Sequence, residues 1–223
     1  MEIRTLGQFV EDEGILASLR AMISDINARA TKEAKVVGKQ QKLPVVQCFT
    51  CTATKACCHS VVVARLYEGI VVAAQLRADH RDTPALREEL RARAETMEAA
   101  SPYEWRVPCV FLDGAERCTV YAARPTPCGT LYVYSPPTAC NDGSVPVQAY
   151  VAHAEHAVAQ QIEDEFRERM ALRKKVGRRY LGVLPRMVLV ALEAWDRTDF
   201  REYLRQLPWP TDTDAEKWRR RSP

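Results

Sequence analysis

The first part of the chain is rich in apolar residues separated by intervals of three and four positions. This pattern extends from Leu6 to about Ala34 and is clearest between Ile15 and Ile26. Such spacing places the apolar side chains on one face of a helix. We therefore predict an amphipathic N-terminal helix, followed by a polar connector from Val36 to Pro44.

A second apolar stretch, from Val61 to Leu76, contains many β-branched residues. Its composition suits a helix or a strand, and its length favours a buried helix. Thr83 and Pro84 follow and supply a cap residue and a proline at the first helical position. This pair predicts a helix over about Ala85 to Ala100, where strong helix formers dominate.

Helical periodicity returns in the last third of the chain. Apolar residues from Val147 to Phe166 repeat at three or four positions and predict a long helix with Pro146 near its first turn. Basic residues from Arg173 to Arg179 suit the C-terminal end of that helix, where cations are favoured. Arg186 to Trp195 is predicted as a further helix, and Leu207 to Pro223 as an exposed tail.

The segment from Val107 to Asn141 combines prolines and turn-forming residues with short apolar pieces. This composition predicts irregular loops that are held by metal ligation. We therefore predict a mainly α fold in which helices flank an irregular, loop-rich core whose cysteines ligate a metal. The predicted organisation is an N-terminal helical extension (1–44), a cysteine-cluster metal-binding core (45–145), C-terminal helices that pack on it (146–206) and a flexible tail (207–223).

The composition is that of a soluble globular protein, with 223 residues, 47% hydrophobic and 27% charged. A net charge of +3 gives no electrostatic footprint for nucleic acid. Met1 to Thr5 leads into the acidic stretch Glu11–Glu13 without an apolar region, so we expect no secretory signal. The longest apolar run near the end, Met187 to Leu192, is too short to span a bilayer. We expect a cytoplasmic protein that binds neither nucleic acid nor membrane.

All eight cysteines lie in the middle of the chain. Thiols stay reduced in the cytoplasm, so a cysteine cluster there favours metal or redox chemistry over disulfides. We predict that the metal ligands come from this set: Cys48, Cys51, Cys57, Cys58, Cys109, Cys118, Cys128 and Cys140.

The cysteines fall into two groups. Cys48 and Cys51 form a C-x-x-C pair, which lets two thiolates converge on one ion from a tight turn. Cys57 and Cys58 are adjacent, and neighbouring side chains tend to diverge. These two therefore suit different metal atoms of a cluster better than one ion, or one of them lies beside the metal without binding it. The second group, from Cys109 to Cys140, lies among turn-forming residues whose N–H groups can offset thiolate charge.

The order Cys48-x2-Cys51-x5-Cys57-Cys58, then Cys109-x-Phe-Leu, then Cys118-x2-Tyr121-x2-Arg124-Pro125-x2-Cys128 resembles the YkgJ-type cysteine-cluster family. The resemblance covers roughly residues 45–140 and implies a domain that chelates zinc or iron. The chain departs from the family at two places. Five residues separate Cys51 from Cys57, where many members have fewer, and Gly129 stands where arginine is common.

The resemblance also suggests roles for two residues of the motif. Arg124 is predicted to give hydrogen bonds or charge to the thiolates, and Tyr121 to pack over the cluster. The structural alternative is that Arg124 pairs with a carboxylate and braces the loop, since its fixed fork of donors suits both tasks.

The histidines receive different interpretations. His59 follows Cys58 directly and is a candidate metal ligand or hydrogen-bond donor to the cluster. His153 and His156 fall on the polar side of the predicted long helix, which favours a solvated face. Glu155 falls on its apolar stripe, where a carboxylate is paired or functional, and an ion pair is favoured.

Eight thiolates exceed the four ligands of a closed zinc site. The excess indicates a cluster, two metals or several bystander thiols. We predict an iron–sulfur cluster, of the 4Fe-4S type, with zinc or iron ions as the alternative. The site then has a redox or accessory role, or it is a structural zinc module or the centre of a metal-dependent enzyme, and an unidentified protein partner is left open. A pocket beside the metal would favour the enzyme, and a closed four-thiolate site the structural role.

Overall fold

The computed structural model describes residues 3–47, 56–100, 106–140, 147–151, 154–172 and 180–210. This part of the chain is mainly helical, which confirms the predicted fold class. Its α-helices are α1 Leu6–Asp12, α2 Ile15–Gln41, α3 Leu66–Ala78, α4 Pro84–Ala99, α5 Thr126–Thr130, α6 Ala154–Arg169, α7 Leu184–Trp195 and α8 Phe200–Gln206. Its strands are β1 Val46–Gln47, β2 Val63–Arg65, β3 Leu131–Val133, β4 Ala149–Val151 and β5 Leu181–Val183. Short 3-10 turns occur at Ala56–His59, Tyr121–Ala123 and Pro137–Cys140.

The N-terminal region contains two helices where the apolar pattern predicts one. A capping box starts α1, in which Thr5 Oγ1 accepts from Gln8 N at 3.3 Å and Gln8 Oε1 accepts from Thr5 N at 3.0 Å. Gly14, with φ +63°, then separates α1 from α2. The predicted polar connector from Val36 is wrong, because α2 continues to Gln41. Its lysine and glutamine residues are strong helix formers, and their polarity does not end a helix.

The apolar run from Val61 to Leu76 forms both alternatives that its composition allowed. Strand β2 comes first, and the buried helix α3 follows it directly. Strand β2 pairs antiparallel with β5, with Val63 opposite Val183. The backbone bond from Leu66 N to Tyr180 O, at 2.7 Å, continues this pairing to the start of α3. Because β2 leads into α3 and β5 leads into α7, the strand pairing places these two helices next to each other in the core.

The α4 helix confirms its predicted start signal. Thr83 Oγ1 accepts a hydrogen bond from Leu86 N at 3.2 Å, and Pro84 is the first helical residue. The α7 helix is also confirmed, and it begins at Leu184 with Pro185 in its first turn. Because the first N–H groups of a helix have no intrahelical acceptor, proline is tolerated there.

The long helix predicted from Val147 begins later, and this prediction is wrong at its N-terminal end. Residues Ala149–Val151 form β4, which pairs antiparallel with β3, and α6 starts at Ala154. The spacing of Val147 and Val151 matches a helix, but backbone pairing with β3 overrides that local pattern. The α6 helix ends at Arg169, and the predicted basic end at 173–179 lies outside the described residues.

The C-terminal segment is more ordered than the sequence predicts. An additional helix, α8, precedes the predicted tail. Trp209 is buried, its ring lies 4.9 Å from that of Tyr180, and its Nε1 donates to Leu204 O. The start of the predicted tail, Leu207 to Trp209, is therefore part of the core, and residues 211–223 lie outside the described residues. Among the described helices, none has the length and apolar character needed to cross a bilayer.

Gly69 sets the distance between α3 and α7. A Cβ at this position would overlap the backbone carbonyl of Met187, so the two helices touch through their main chains. We predict that Gly69→Ala lowers the free energy of unfolding by about 2–3 kcal/mol, because backbone cannot yield as a side chain can.

Thermal and denaturant unfolding of the full chain measure this effect. Gly114→Ala is the matched control, since nothing lies within 4 Å of a Cβ at Gly114. We expect a change within about 0.5 kcal/mol for the control. Equal stability of the two variants would contradict the close helix contact.

Candidate metal site

The described part of the chain contains six of the eight cysteines, and all six are half-buried. Cys57 and Cys58 lie on the 3-10 turn at Ala56–His59, and Cys128 lies in α5. The six are Cys57, Cys58, Cys109, Cys118, Cys128 and Cys140. Cys48 and Cys51 lie outside the described residues, so the convergence of the C-x-x-C pair stays a prediction.

Backbone hydrogen bonds hold three cysteine segments next to one another. Cys109 N donates to Cys58 O at 2.8 Å. Cys118 forms an antiparallel bridge with Leu112, three residues after Cys109. Thr119 N donates to Phe111 O at 2.8 Å, which closes this loop. The structure therefore joins segments that are about fifty residues apart in sequence through main-chain bonds.

The thiols of these segments also act on one another electrostatically. Burial, with smaller contributions from the side chains of Cys118 and Cys58, raises the pKa of Cys109 to about 11. Burial is again the largest cause that raises the pKa of Cys118, and Cys58 adds to it. The pKa of Cys128 is well above its ordinary value, first through burial and then through Cys109, Cys118 and Cys58. Cys58, Cys109, Cys118 and Cys128 therefore lie within electrostatic range of one another, and we call them the thiol cluster.

The donor chemistry of the thiol cluster fits a thiophilic metal. Sulfur donors select zinc, copper(I) and iron–sulfur clusters over hard cations. Gathering four thiolates without a cation is opposed by their mutual repulsion, which a bound metal offsets. In the described ranges, no three Cys, His, Asp or Glu side chains converge closely enough to hold an ion.

Three arginines place positive charge beside the thiol cluster. Arg124 and Arg81 both lower the pKa of Cys118, and Arg93 lowers that of Cys109, against the larger effect of burial. Arg81 is fixed by hydrogen bonds from its guanidinium to Thr119 O at 3.1 Å and Thr119 Oγ1 at 2.8 Å. Each guanidinium is positioned to favour the thiolate form of a neighbouring cysteine.

The structure places the two predicted motif residues against each other. The guanidinium carbon of Arg124 lies 4.3 Å from the ring centroid of Tyr121, which is a cation–π contact. Tyr121 is 42% exposed. The effect of Arg124 on Cys118 agrees with a charge role, and the roles of both residues toward a cluster stay predictions.

His59 lies at the edge of the thiol cluster. Its Nε2 is 3.8 Å from Glu116 Oε1, and within the described ranges this nitrogen makes no hydrogen bond. Its role as a ligand or donor stays a prediction. The side chains of His153, His156 and Glu155 lie outside the described residues, so their interpretations are untested.

Sequence reasoning missed Glu68, a buried carboxylate behind the thiol cluster. Its Oε2 accepts from Arg65 N at 2.7 Å, and its Oε1 accepts from Thr126 N at 2.7 Å. A signal was available, because Glu68 is an acidic residue inside the otherwise apolar run from Val61 to Leu76. Arg81 and Arg93 were also missed, and no local pattern marks them because their targets are distant in sequence.

A small cavity lies beside Cys109, on the side of the thiol cluster that faces α4 and α7. Its volume is about 10 Å³, enough for one water molecule. Among its lining residues are Ser60, Arg93, Met97 and Leu184. This cavity cannot admit a substrate.

The absence of a side chain at position 129 has a structural cause. A Cβ at Gly129 would overlap the side chain of Asn27, which projects from α2. The Tyr132 hydroxyl donates to Gly129 O at 3.2 Å and lies 2.7 Å from Thr31 Oγ1, also on α2. The α2 helix therefore occupies the space into which a larger residue after Cys128 would extend.

Comparison with known proteins gives one family. Residues 47–149 match the model of the CxxCxxCC family, which is described as a "Putative zinc- or iron-chelating domain". The search of curated proteins gave no match, and the search of solved structures gave none either. The matched segment contains every described cysteine, β2, β3 and α3 to α5, whereas α1, α2, α6 to α8 and β5 lie outside it.

We predict that Gly129→Ala destabilises the protein by about 1–2 kcal/mol, because the new methyl group must displace the Asn27 side chain. Chemical denaturation of single and double variants measures the effect. Adding Asn27→Ala to Gly129→Ala opens the space, so the double variant should be more stable than the additive expectation. Strict additivity of the two changes would show that these residues are not in contact.

Proposed function

We propose that the protein holds an iron–sulfur cluster through Cys58, Cys109, Cys118 and Cys128, on the premise that residues 47–149 match the model of the CxxCxxCC cysteine-cluster family. The family supports metal binding through cysteines. The identity of the metal and the choice of these four ligands are our proposal.

The observation that carries the proposal is the main-chain pairing that holds the Cys58, Cys109 and Cys118 segments next to one another. The influence of these three thiols on the pKa of Cys128 supports it. Four cysteine thiolates are the usual ligand set of a 4Fe-4S cluster. We would not expect unrelated surface cysteines to be joined by a backbone hydrogen bond such as that from Cys109 N to Cys58 O. The closeness of these cysteine segments therefore supports the binding of one shared metal group.

The charges around the thiol cluster support the same proposal. Four thiolates give a metal site excess negative charge. The guanidinium groups of Arg81, Arg93 and Arg124 come from separate segments and favour the thiolate form of Cys109 and Cys118. Charges and hydrogen bonds at the sulfur atoms tune both the stability and the reduction potential of iron–sulfur clusters.

Zinc is the second candidate, because four thiolates also make a closed tetrahedral zinc site. Both kinds of site take four thiolates, so the four proposed ligands fit either metal, and the metal analysis below separates the two candidates.

The role we propose is electron transfer or an accessory function in the cytoplasm. The cavity beside Cys109 has a volume of about 10 Å³, which holds one water molecule and is far smaller than a typical ligand pocket. This small size supports a redox or structural site over a catalytic one at this side of Cys109.

Anaerobic purification followed by iron, sulfide and zinc analysis and a visible spectrum tests the proposal. We expect ~4 iron and ~4 sulfide per chain with broad thiolate-to-iron absorption. Cys118→Ser and Cys128→Ser should lose the cluster, whereas Cys140→Ser, outside the proposed set, should retain it.

A colourless protein that takes up one zinc per chain, even after anaerobic reconstitution with iron and sulfide, would refute the cluster and support zinc. A protein that binds neither metal would refute both candidates. Loss of the metal in Cys140→Ser to the same extent as in Cys128→Ser would show that the proposed four-ligand set is wrong.

A further inference from the structure

We propose that Glu68 is a positioning residue that fixes the Cys128 thiolate for metal binding. This role rests on the metal site proposed above. Glu68 lies in the first turn of α3, and Cys128 lies in α5, so the two residues belong to different parts of the chain. The link between them is the backbone N–H of Thr126.

Glu68 is only 1% exposed, which makes its two hydrogen bonds obligatory. A buried carboxylate is tolerated when hydrogen bonds replace the water that it has lost. Here one oxygen accepts from Arg65 N and the other from Thr126 N, each at 2.7 Å. The carboxylate is therefore a rigid bridge between the start of α3 and the start of α5.

The cysteine-bearing helix has no cap of its own. Thr126 is the first residue of α5, and its N–H has no acceptor within the helix. Pro125 occupies the N-cap position, and its ring offers no side-chain acceptor. Glu68 supplies this acceptor from α3. Because Cys128 follows two residues later, the bond to Thr126 N sets where the Cys128 sulfur lies.

A second buried carboxylate, Glu163, contacts the side chain of Arg65 rather than its backbone. Arg65 Nε donates to Glu163 Oε2 at 2.8 Å, and Glu163 Oε1 accepts from Tyr180 N at 3.3 Å. Glu163 is 2% exposed, so it matches Glu68 in burial, and one of its two partners is likewise a backbone N–H. Within the described ranges, neither of these bonds reaches α5 or replaces a bond that Glu68 accepts. Glu163 is therefore a matched control for the loss of a buried carboxylate.

The variant Glu68→Gln keeps a buried side chain of nearly the same size and removes one of the two hydrogen bonds, so it tests the positioning of Cys128 apart from packing. An amide of nearly the same shape has one acceptor oxygen, so it cannot accept from both Arg65 N and Thr126 N. Outer groups that orient metal ligands typically contribute 10–100-fold in affinity. We expect Glu68→Gln to weaken metal binding by about 10–100-fold.

The experiment uses the full chain, reduced and anaerobic, with Co²⁺ as the probe. Competition with a chelator gives affinity, and the thiolate-to-cobalt absorption reports how many sulfurs bind. We expect Glu163→Gln to lower the melting temperature and keep the affinity and spectrum of the unmodified protein. Glu68→Gln should lose metal affinity and thiolate-to-cobalt absorption, with a melting temperature similar to that of Glu163→Gln.

Unchanged affinity and spectrum in Glu68→Gln would overturn the positioning role and leave the metal site intact. An equal loss of affinity in Glu163→Gln would assign the effect to general destabilisation and would also overturn it. A chain that binds no cobalt, zinc or iron at all would refute the metal site, and the positioning role with it.

Amide hydrogen exchange at Thr126 in the unmodified protein covers the case in which Glu68→Gln fails to fold. The bond to a buried carboxylate predicts that this amide exchanges as slowly as buried amides of α3. Exchange at the rate of an exposed amide would show that the bridge does not form, with or without metal.

Discussion

The carboxylate of Glu68 accepts the backbone N–H groups of Arg65 and Thr126, which lie about sixty residues apart. Glu68 is buried, and these two bonds replace water that its carboxylate has lost, so losing either one is costly. The start of α3 and the start of the cysteine-bearing α5 are therefore held at one separation. The α3 helix is in turn fixed by α7, whose backbone at Met187 contacts Gly69. The position of Cys128 depends on this chain of contacts.

Several residues that contact the cysteine segment lie outside residues 47–149, the range that matches the family model. Asn27 of α2 fills the space beside Gly129, and Glu163 of α6 holds Arg65. Strand β5 pairs with β2 just before α3 begins. The cysteine segment therefore packs against elements from both ends of the chain.

Local sequence signals predicted the helices whose start and length depend on capping and on helix propensity within a few residues. Thr83 and Pro84 marked the start of α4, and the apolar periodicity of Arg186 to Trp195 marked α7. The same kind of signal failed where distant backbone pairing decides, as at β4, which pairs with β3. It also failed where a polar composition continues a helix, as at the end of α2. Helix propensity and capping act over a few residues, whereas strand pairing joins residues that no window contains.

For the site, the sequence by itself determined the donor chemistry: cysteine sulfur, grouped in the middle of the chain, within the segment that matches the family model. Which described thiols become neighbours was decided only by the tertiary structure, because Cys58, Cys109 and Cys118 meet through backbone bonds between separate loops. The same is true of the charges that act on them, since Arg81 and Arg93 reach their cysteines across the fold. Residue type fixes what a side chain can bind, and only folding fixes the distances on which Coulomb interactions and coordination depend.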